Sequence, residues 1–176
     1  LILIFAAARL GCMVCPLNWR LADEELGWIV GNADPQVMVA DRAHESRATS
    51  IVRDGAVVPV QALIDAPEHT APDLDQPTGS TPLLMVYTSG ATGRPKGALL
   101  SQDAVLANAR FSWDMHAMTA RDHILTALPM FHVGGLNIQT LPALLKGARV
   151  TIMERFEPAA CLEAIRNDRP TLTVQV

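Results

Sequence analysis

The sequence predicts an α/β fold, a mostly parallel sheet flanked by helices. Three observations carry this reading. Short apolar runs with little polar interruption recur along the chain, as strands buried on both faces require. Amphipathic stretches with helix start and stop signals lie between them. In the second half the order is strand, helix, strand, helix, strand, the order of a sheet with crossover connections. The composition agrees. Hydrophobic residues make up 49% of the 176 residues and charged residues 18%, and mean hydropathy is +0.20. That excludes intrinsic disorder, which needs low hydrophobicity and high charge. It also excludes collagen-like and disulfide-scaffold classes.

The elements follow in order. Leu1–Ala8 is an apolar run stopped by Arg9, too short for the roughly 20 residues of a membrane-spanning helix. Cys12-Met13-Val14-Cys15 reads as a buried strand carrying two inert thiols. Asp23 to Val30 predicts a short helix, with Leu26, Ile29 and Val30 on one side and acids in the first turn. After the turn Asn32–Pro35 comes a strand, Val37–Ala40, and a weaker strand pattern, interrupted by Pro59, follows at Val57–Val60. Residues 65–82 hold Pro67, Pro72, Pro77 and Pro82 and read as an exposed linker. Leu83–Val86 is a strand, and Ala98–Leu100 a short apolar piece. Ser101 is placed to cap a helix running to about Met118. His123–Leu128 is a strand, Gly135–Leu145 a helix with Gly147 just past its end, and Ala148–Met153 a strand. Pro158 suits the first position of a helix to Asn167, Pro170 stops it, and Thr171–Val176 is the last strand. No internal repeat is visible. The chain starts on Leu1 and ends within a strand pattern, so it reads as a piece of something longer.

Net charge is −4, and no basic stripe interleaved with aromatics occurs. Nucleic acid is therefore excluded as a partner. Cys12, Cys15 and Cys161 are too few and too odd in number for a secreted disulfide framework, which points to a reducing, cytoplasmic setting. No second C-x-x-C or His pair accompanies Cys12 and Cys15, so zinc is not expected there. His44, His69, His116 and His123 have no metal-ligand spacing, and Trp19, Trp28 and Trp113 read as core or pocket packing.

One segment carries chemistry: Tyr87-Thr88-Ser89-Gly90-Ala91-Thr92-Gly93-Arg94-Pro95-Lys96-Gly97. It holds three glycines, three short hydroxyl residues and two cations, and it leaves the end of a strand. Glycines let backbone N–H groups approach a ligand, hydroxyls donate to oxyanions, and Lys96 adds a compact positive charge. Ligands of open α/β sheets bind at such strand ends. The combination describes a polyphosphate cradle. A Walker A loop counted from Gly90 needs Gly where Pro95 stands and Ser or Thr where Gly97 stands. The dinucleotide pattern fails because Gly90 and Gly93 are three apart. The bland alternative is a flexible surface loop.

Tyr87–Gly97 resembles the phosphate-loop signature of the adenylate-forming superfamily, which includes acyl-CoA synthetases and peptide-synthetase adenylation domains. Ala91 stands where the usual form has a first Thr, and Gln102 where the family usually has a His. Arg9-Leu10-Gly11 through Pro16-Leu17-Asn18 resembles the family's lead-in. Leu128-Pro129-Met130-Phe131-His132-Val133-Gly134-Gly135 resembles a second motif, near the acyl pocket. Gly135-Leu136-Asn137 and the apolar helix after it are more similar to acyl-CoA synthetases than to peptide-synthetase domains.

The resemblance implies that residues 1–176 are an incomplete piece of one large N-terminal AMP-binding domain, without the C-terminal lid. It implies a parent enzyme that attacks ATP with a carboxylate, releases pyrophosphate and passes the acyl group to coenzyme A. A fragment without the lid is then expected to make no thioester. Thr88, Ser89, Gly90, Ala91, Thr92, Gly93, Arg94 and Lys96 become the expected ATP-binding residues, with Thr88 a candidate Mg²⁺ ligand. Lys96 and His132 become candidate catalytic residues, and Phe131, His132 and Gly134 candidate acid-binding ones. Partners are then a small carboxylic acid (aryl or longer aliphatic, as in fatty acid metabolism), ATP and coenzyme A, with no transmembrane segment. Open strand edges are compatible with a homo-oligomer. Two alternatives stay open: a nucleotide-binding module without turnover, and an adenylation domain feeding a carrier protein. A generic phosphotransferase conflicts with Pro95 and Gly97.

Overall fold

A computed structural model describes residues 1–67, 76–88 and 93–174. The chain forms two compact units, one of residues 1–16, 76–86 and 98–176, the other of residues 17–75 and 87–97.

The first unit opens with α1 (Ile2–Leu10). Its apolar, alanine-rich run carries no helix breaker until Gly11, whose left-handed φ of 67° ends it and returns its N–H to the Ala7 carbonyl. Ile4 and Ala7 face the core. They pack with Leu83, Leu84 and Val86 of the later strand β3 (Pro82–Thr88) and with Val105, Leu136 and Leu141. Val14 is one residue of extended backbone beside β3: it donates to Leu83 O at 2.8 Å and accepts from Met85 N at 2.9 Å. The expected buried strand over Cys12–Cys15 is therefore reduced to a single bridge, and Cys12 is exposed. A strand needs a partner along its length, and only Val14 finds one.

β3 is hydrogen-bonded to β4 (Lys96–Ser101), which absorbs the apolar piece 98–100. A connection this short suits a hairpin rather than a crossover. Ser101 caps α5 (Gln102–Met115), its hydroxyl accepting from Ala104 N at 3.2 Å as expected. The helix stops three residues before Met118.

The second half is the crossover sheet the sequence predicts. β5 (His123–Thr126) is buried throughout and lies between β6 (Arg149–Ile152) and β7 (Leu172–Val174), parallel to both. Pro158 starts α8 (Pro158–Asp168), and the Glu157 carboxylate caps it by accepting from Ala159 and Ala160 N. The crossover from β5 to β6 is one helical rod in three parts: α6 (Val133–Gly135), a π turn (Leu136–Thr140) and α7 (Leu141–Lys146). Gly147 ends it at φ 81°, as its spacing predicts.

The second unit carries α2 (Asp23–Ala33), β1 (Val37–Ala40), α3 (Glu45–Ile51), β2 (Ala56–Pro59) and α4 (Val60–Ile64). β1 and β2 are parallel, with Val37 opposite Ala56. Arg47 of α3 ties down the segment before α2. Its Nε donates to Asp23 at 2.6 Å, and its two terminal nitrogens donate to the Trp19 and Leu21 carbonyls.

Some expectations need correction. The described strands form three separate sheets, not one. Val60 starts a helix instead of ending a strand. Trp19 is half-exposed, its ring tilted against that of His44 and beneath Arg20, not in the core. Of the expected linker, residues 68–75 lie outside the described residues, and Pro82 belongs to β3. Part of the last strand, 175–176, also lies outside them.

Candidate functional site

The segment 87–97 belongs to the second unit, whereas Phe131, His132 and Gly134 belong to the first. Each group is built differently.

The glycine- and hydroxyl-rich segment leaves the end of β3. Tyr87 fixes its first residue: the phenol donates to Asn32 Oδ1 of α2 at 2.6 Å, and the ring meets Trp28 edge-on with centroids 6.2 Å apart. Thr88 follows with an exposed side chain. Ser89, Gly90, Ala91 and Thr92 lie outside the described residues. Gly93 takes φ +86°, a conformation that any side chain strains, although no atom would crowd a Cβ there. Arg94 is exposed, as is Lys96 at the first position of β4. Lys96 forms no ion pair among the described residues. It is an exposed cation at the start of β4.

The second group surrounds His132. Its backbone is extended, and it caps α6 with its ring: Nδ1 accepts from Gly134 N at 3.0 Å. A nitrogen that accepts a backbone N–H carries no proton, so the neutral ring holds its proton on Nε2. The side chain is exposed, so this N–H is presented to solvent as a donor. A lone histidine reads most simply as buried and satisfied by a carbonyl, and His132 is neither. Phe131 and Gly134 are half-buried. Gly135 has no room for a side chain, because a Cβ would clash with the Leu128 and Pro129 carbonyls.

The rod after His132 is stabilised by side chains that sequence reasoning missed. Pro142 has no N–H. An α-helical ladder would have bonded that N–H to the Ile138 carbonyl, and a π ladder to the Asn137 carbonyl. Two residues one turn apart on α5 donate to these two carbonyls, Asn108 to Asn137 O at 2.6 Å and Ser112 to Ile138 O at 2.5 Å, and one of the bonds stands in for the missing N–H. The signal available was Pro142 inside a helical pattern. Within the rod, the Thr140 hydroxyl donates to Gly135 O at 2.6 Å, so the Thr126 hydroxyl, 2.7 Å away, must donate to Thr140. Beside these groups lies a cavity of about 10 Å³, lined by Leu125, Thr126, Leu128, Gly134, Gln139 and Val174 among others. That is room for one water. Asn137 Oδ1 and Gln139 Nε2 are buried without a hydrogen-bond partner among the described residues.

Gln102, where a His was expected, ties two helices together, its amide donating to the Ala8 carbonyl of α1 at 2.8 Å. Burial pushes the Cys15 thiol up to about 11, in keeping with an inert thiol.

The profile of the family described as AMP-binding enzyme matches residues 1–176. The chain is similar to indoleacetate–CoA ligase of Aromatoleum aromaticum, 42% identical over 98% of this chain and 36% of that protein. It is similar to feruloyl-CoA synthase of an Amycolatopsis species, 32% identical over 98% of this chain and 35% of that one. Among solved structures it resembles ATP-bound MatB from Rhodopseudomonas palustris, with a TM-score of 0.85 and 26% identity over 98% of this chain and 36% of that chain. The chain thus spans about a third of the length of these relatives.

Proposed function

The chain belongs to the AMP-binding enzyme family, and from that membership we propose that the complete enzyme activates a carboxylic acid with ATP and passes it to coenzyme A. A carboxylate oxygen attacks the α-phosphorus, the bond to the bridging oxygen breaks, and pyrophosphate leaves. The coenzyme A thiolate then attacks the acyl carbon, and AMP leaves. The observation that carries this reading is Lys96, exposed and without an ion pair among the described residues, at the end of a strand–loop–strand unit whose Gly93 is held left-handed. An anion must approach a polyanion, so fixed donors and a cation aimed at the departing charge supply the largest stabilisation.

Lys96 would meet the outer phosphates, and the backbone and hydroxyls of residues 88–93 would hold the rest. Arg94 is exposed and able to screen the same charge. Mg²⁺ in such sites draws most of its ligands from phosphate oxygens and water, so the single exposed hydroxyl of Thr88 fits it. That ion would neutralise charge on the leaving group. His132 donates from Nε2 and so suits the acid's carboxylate oxygen, with Phe131 and Gly134 beside it. It has no base to supply, since a carboxylate is already ionised at neutral pH.

Two relatives named for aromatic acids, indoleacetate and ferulate, support an aromatic substrate over a fatty acid. The cysteine content supports a cytoplasmic setting. The test is ATP–pyrophosphate exchange by the complete enzyme across a panel of aromatic and aliphatic acids. Exchange that rises with an aromatic acid and falls on Lys96→Ala is expected. An exchange rate unchanged in Lys96→Ala removes Lys96 from the reaction.

A further inference from the structure

Segment 87–97 and α2 belong to the same compact unit, and Tyr87 is where they meet. On α2, Leu26, Ile29 and Val30 are buried. Trp28 and Asn32, one turn apart, share another side of the helix. Both touch Tyr87. The phenol donates to Asn32 Oδ1 at 2.6 Å, and the ring stands perpendicular to that of Trp28 with centroids 6.2 Å apart. One contact holds the ring and the other its far end, so the side chain has a single orientation. The helix that receives it is braced in turn: Arg47 bonds Asp23 in its first turn and the Trp19 and Leu21 carbonyls just before it.

The phenol–Asn32 bond lies at the surface. Water competes for it there, so it adds little to overall stability. What it sets is the direction in which the chain leaves β3. Thr88, Arg94 and Lys96 have exposed side chains, open to a ligand, whereas Tyr87 is turned back onto α2. A segment whose first residue is already fixed in the free protein loses less freedom when an anion enters it.

We propose that Asn32 is a positioning residue for ATP: acting through the Tyr87 phenol, it fixes how the glycine-rich segment leaves β3 before nucleotide arrives. The inference rests on the acid-activation reading. It adds to that reading α2, which carries none of the phosphate-loop residues. Loss of the bond moves an ordering cost from folding to nucleotide binding. The effect therefore falls on KM for ATP. It spares KM for the acid, whose proposed contacts are at residues 131–134.

The experiment uses the complete enzyme, an acid that it activates, and pyrophosphate release as the rate. Tyr87→Phe removes one hydroxyl and keeps the ring, and Asn32→Leu removes the acceptor. Each is expected to raise KM for ATP about fivefold or more, the cost of ordering one residue at the binding step. In both, kcat and KM for the acid are expected to stay within about twofold of wild type, and the thermal midpoint within about 4 °C. The double variant is expected to be no worse than either single one, because both break the same bond. An unchanged KM for ATP in the single variants overturns this proposal and leaves acid activation standing. So do effects that multiply in the double variant, or a rise in KM shared equally by ATP and the acid, which would mark a general loosening of the protein. No release by the wild-type enzyme with any acid overturns the activation reading and this inference with it.

Discussion

Asn108 donates its side-chain amide to the backbone carbonyl of Asn137 at 2.6 Å. One turn on, Ser112 does the same for Ile138. Two helices are thus joined through adjacent carbonyls, one of which loses its helical donor because Pro142 has no N–H.

Removing the donor should leave a buried carbonyl unpaired. Asn108→Leu is expected to cost about 1–3 kcal/mol in urea unfolding. In a Pro142→Ala background that cost should shrink, because residue 142 regains an N–H for one of the two carbonyls. The double-mutant cycle measures the coupling, and strictly additive costs would contradict the account.

His132 has two separable roles, and two substitutions divide them. Asn is a good helix cap, so His132→Asn should keep the bond to Gly134 N while losing the Nε2–H. Stability should stay near wild type while acid activation drops. His132→Ala should lose both, at a cost of about 1 kcal/mol for the cap. Thermal unfolding and pyrophosphate exchange, run side by side, separate the cases. Unimpaired exchange in His132→Asn would confine His132 to capping.

Gly93 and Gly135 are both required, for different reasons. Gly93→Ala is expected to cost about 1 kcal/mol, the strain of a positive φ. Gly93→Asn should recover part of it, since Asn tolerates that region. Gly135→Ala meets carbonyl oxygens and should cost about 1–3 kcal/mol, with no relief from Asn. Equal behaviour at the two positions would refute the distinction.

Asp122 accepts from the Thr171 hydroxyl and from the backbone and hydroxyl of Thr119, which together hold its carboxyl below the ordinary 3.8. The folded state favours the ionised form. The resulting stability is present above the ordinary value and is lost as pH falls through the lowered one. Thr171→Val should therefore weaken the protein at neutral pH and flatten its acid sensitivity below about pH 4. Urea midpoints measured from pH 6 to pH 2.5 test this, and parallel curves for wild type and variant would exclude it.

Cys12 is exposed, whereas burial holds the Cys15 thiol protonated, with a value of about 11. Iodoacetamide at neutral pH should alkylate Cys12 well before Cys15, as peptide mass mapping would report. Modification of Cys15 first would place that thiol on the surface.

Much of this was legible in the residues. Ser101, Gly147 and Pro158 announced their helix ends because each acts within one turn of its own position. Residues 87–97 read as a phosphate loop from composition alone, and Ser89, Gly90, Ala91 and Thr92 lie outside the described residues. The rest depended on partners distant in sequence. Gln102 looked like a lost histidine until Ala8 supplied its acceptor, and Val14 looked like part of a strand until only Leu83 and Met85 met it. The π turn followed from Pro142, but only Asn108 and Ser112, some 30 residues earlier, make that irregularity tolerable. Gln139 carried no signal in the sequence, where it was one polar residue in an apolar helix.

Among the described residues, Val14 and α1 find partners in β3, in α5 and in the rod after His132. A growing polypeptide therefore emerges with Ile4 and Ala7 waiting for these partners until roughly a hundred further residues have been made. Folding of the first unit cannot begin at residues 1–16 and proceed outward; it must close a large loop, a slow step. Products truncated before α5 are expected to aggregate, the consequence of placing a core helix so far ahead of its partners in the sequence.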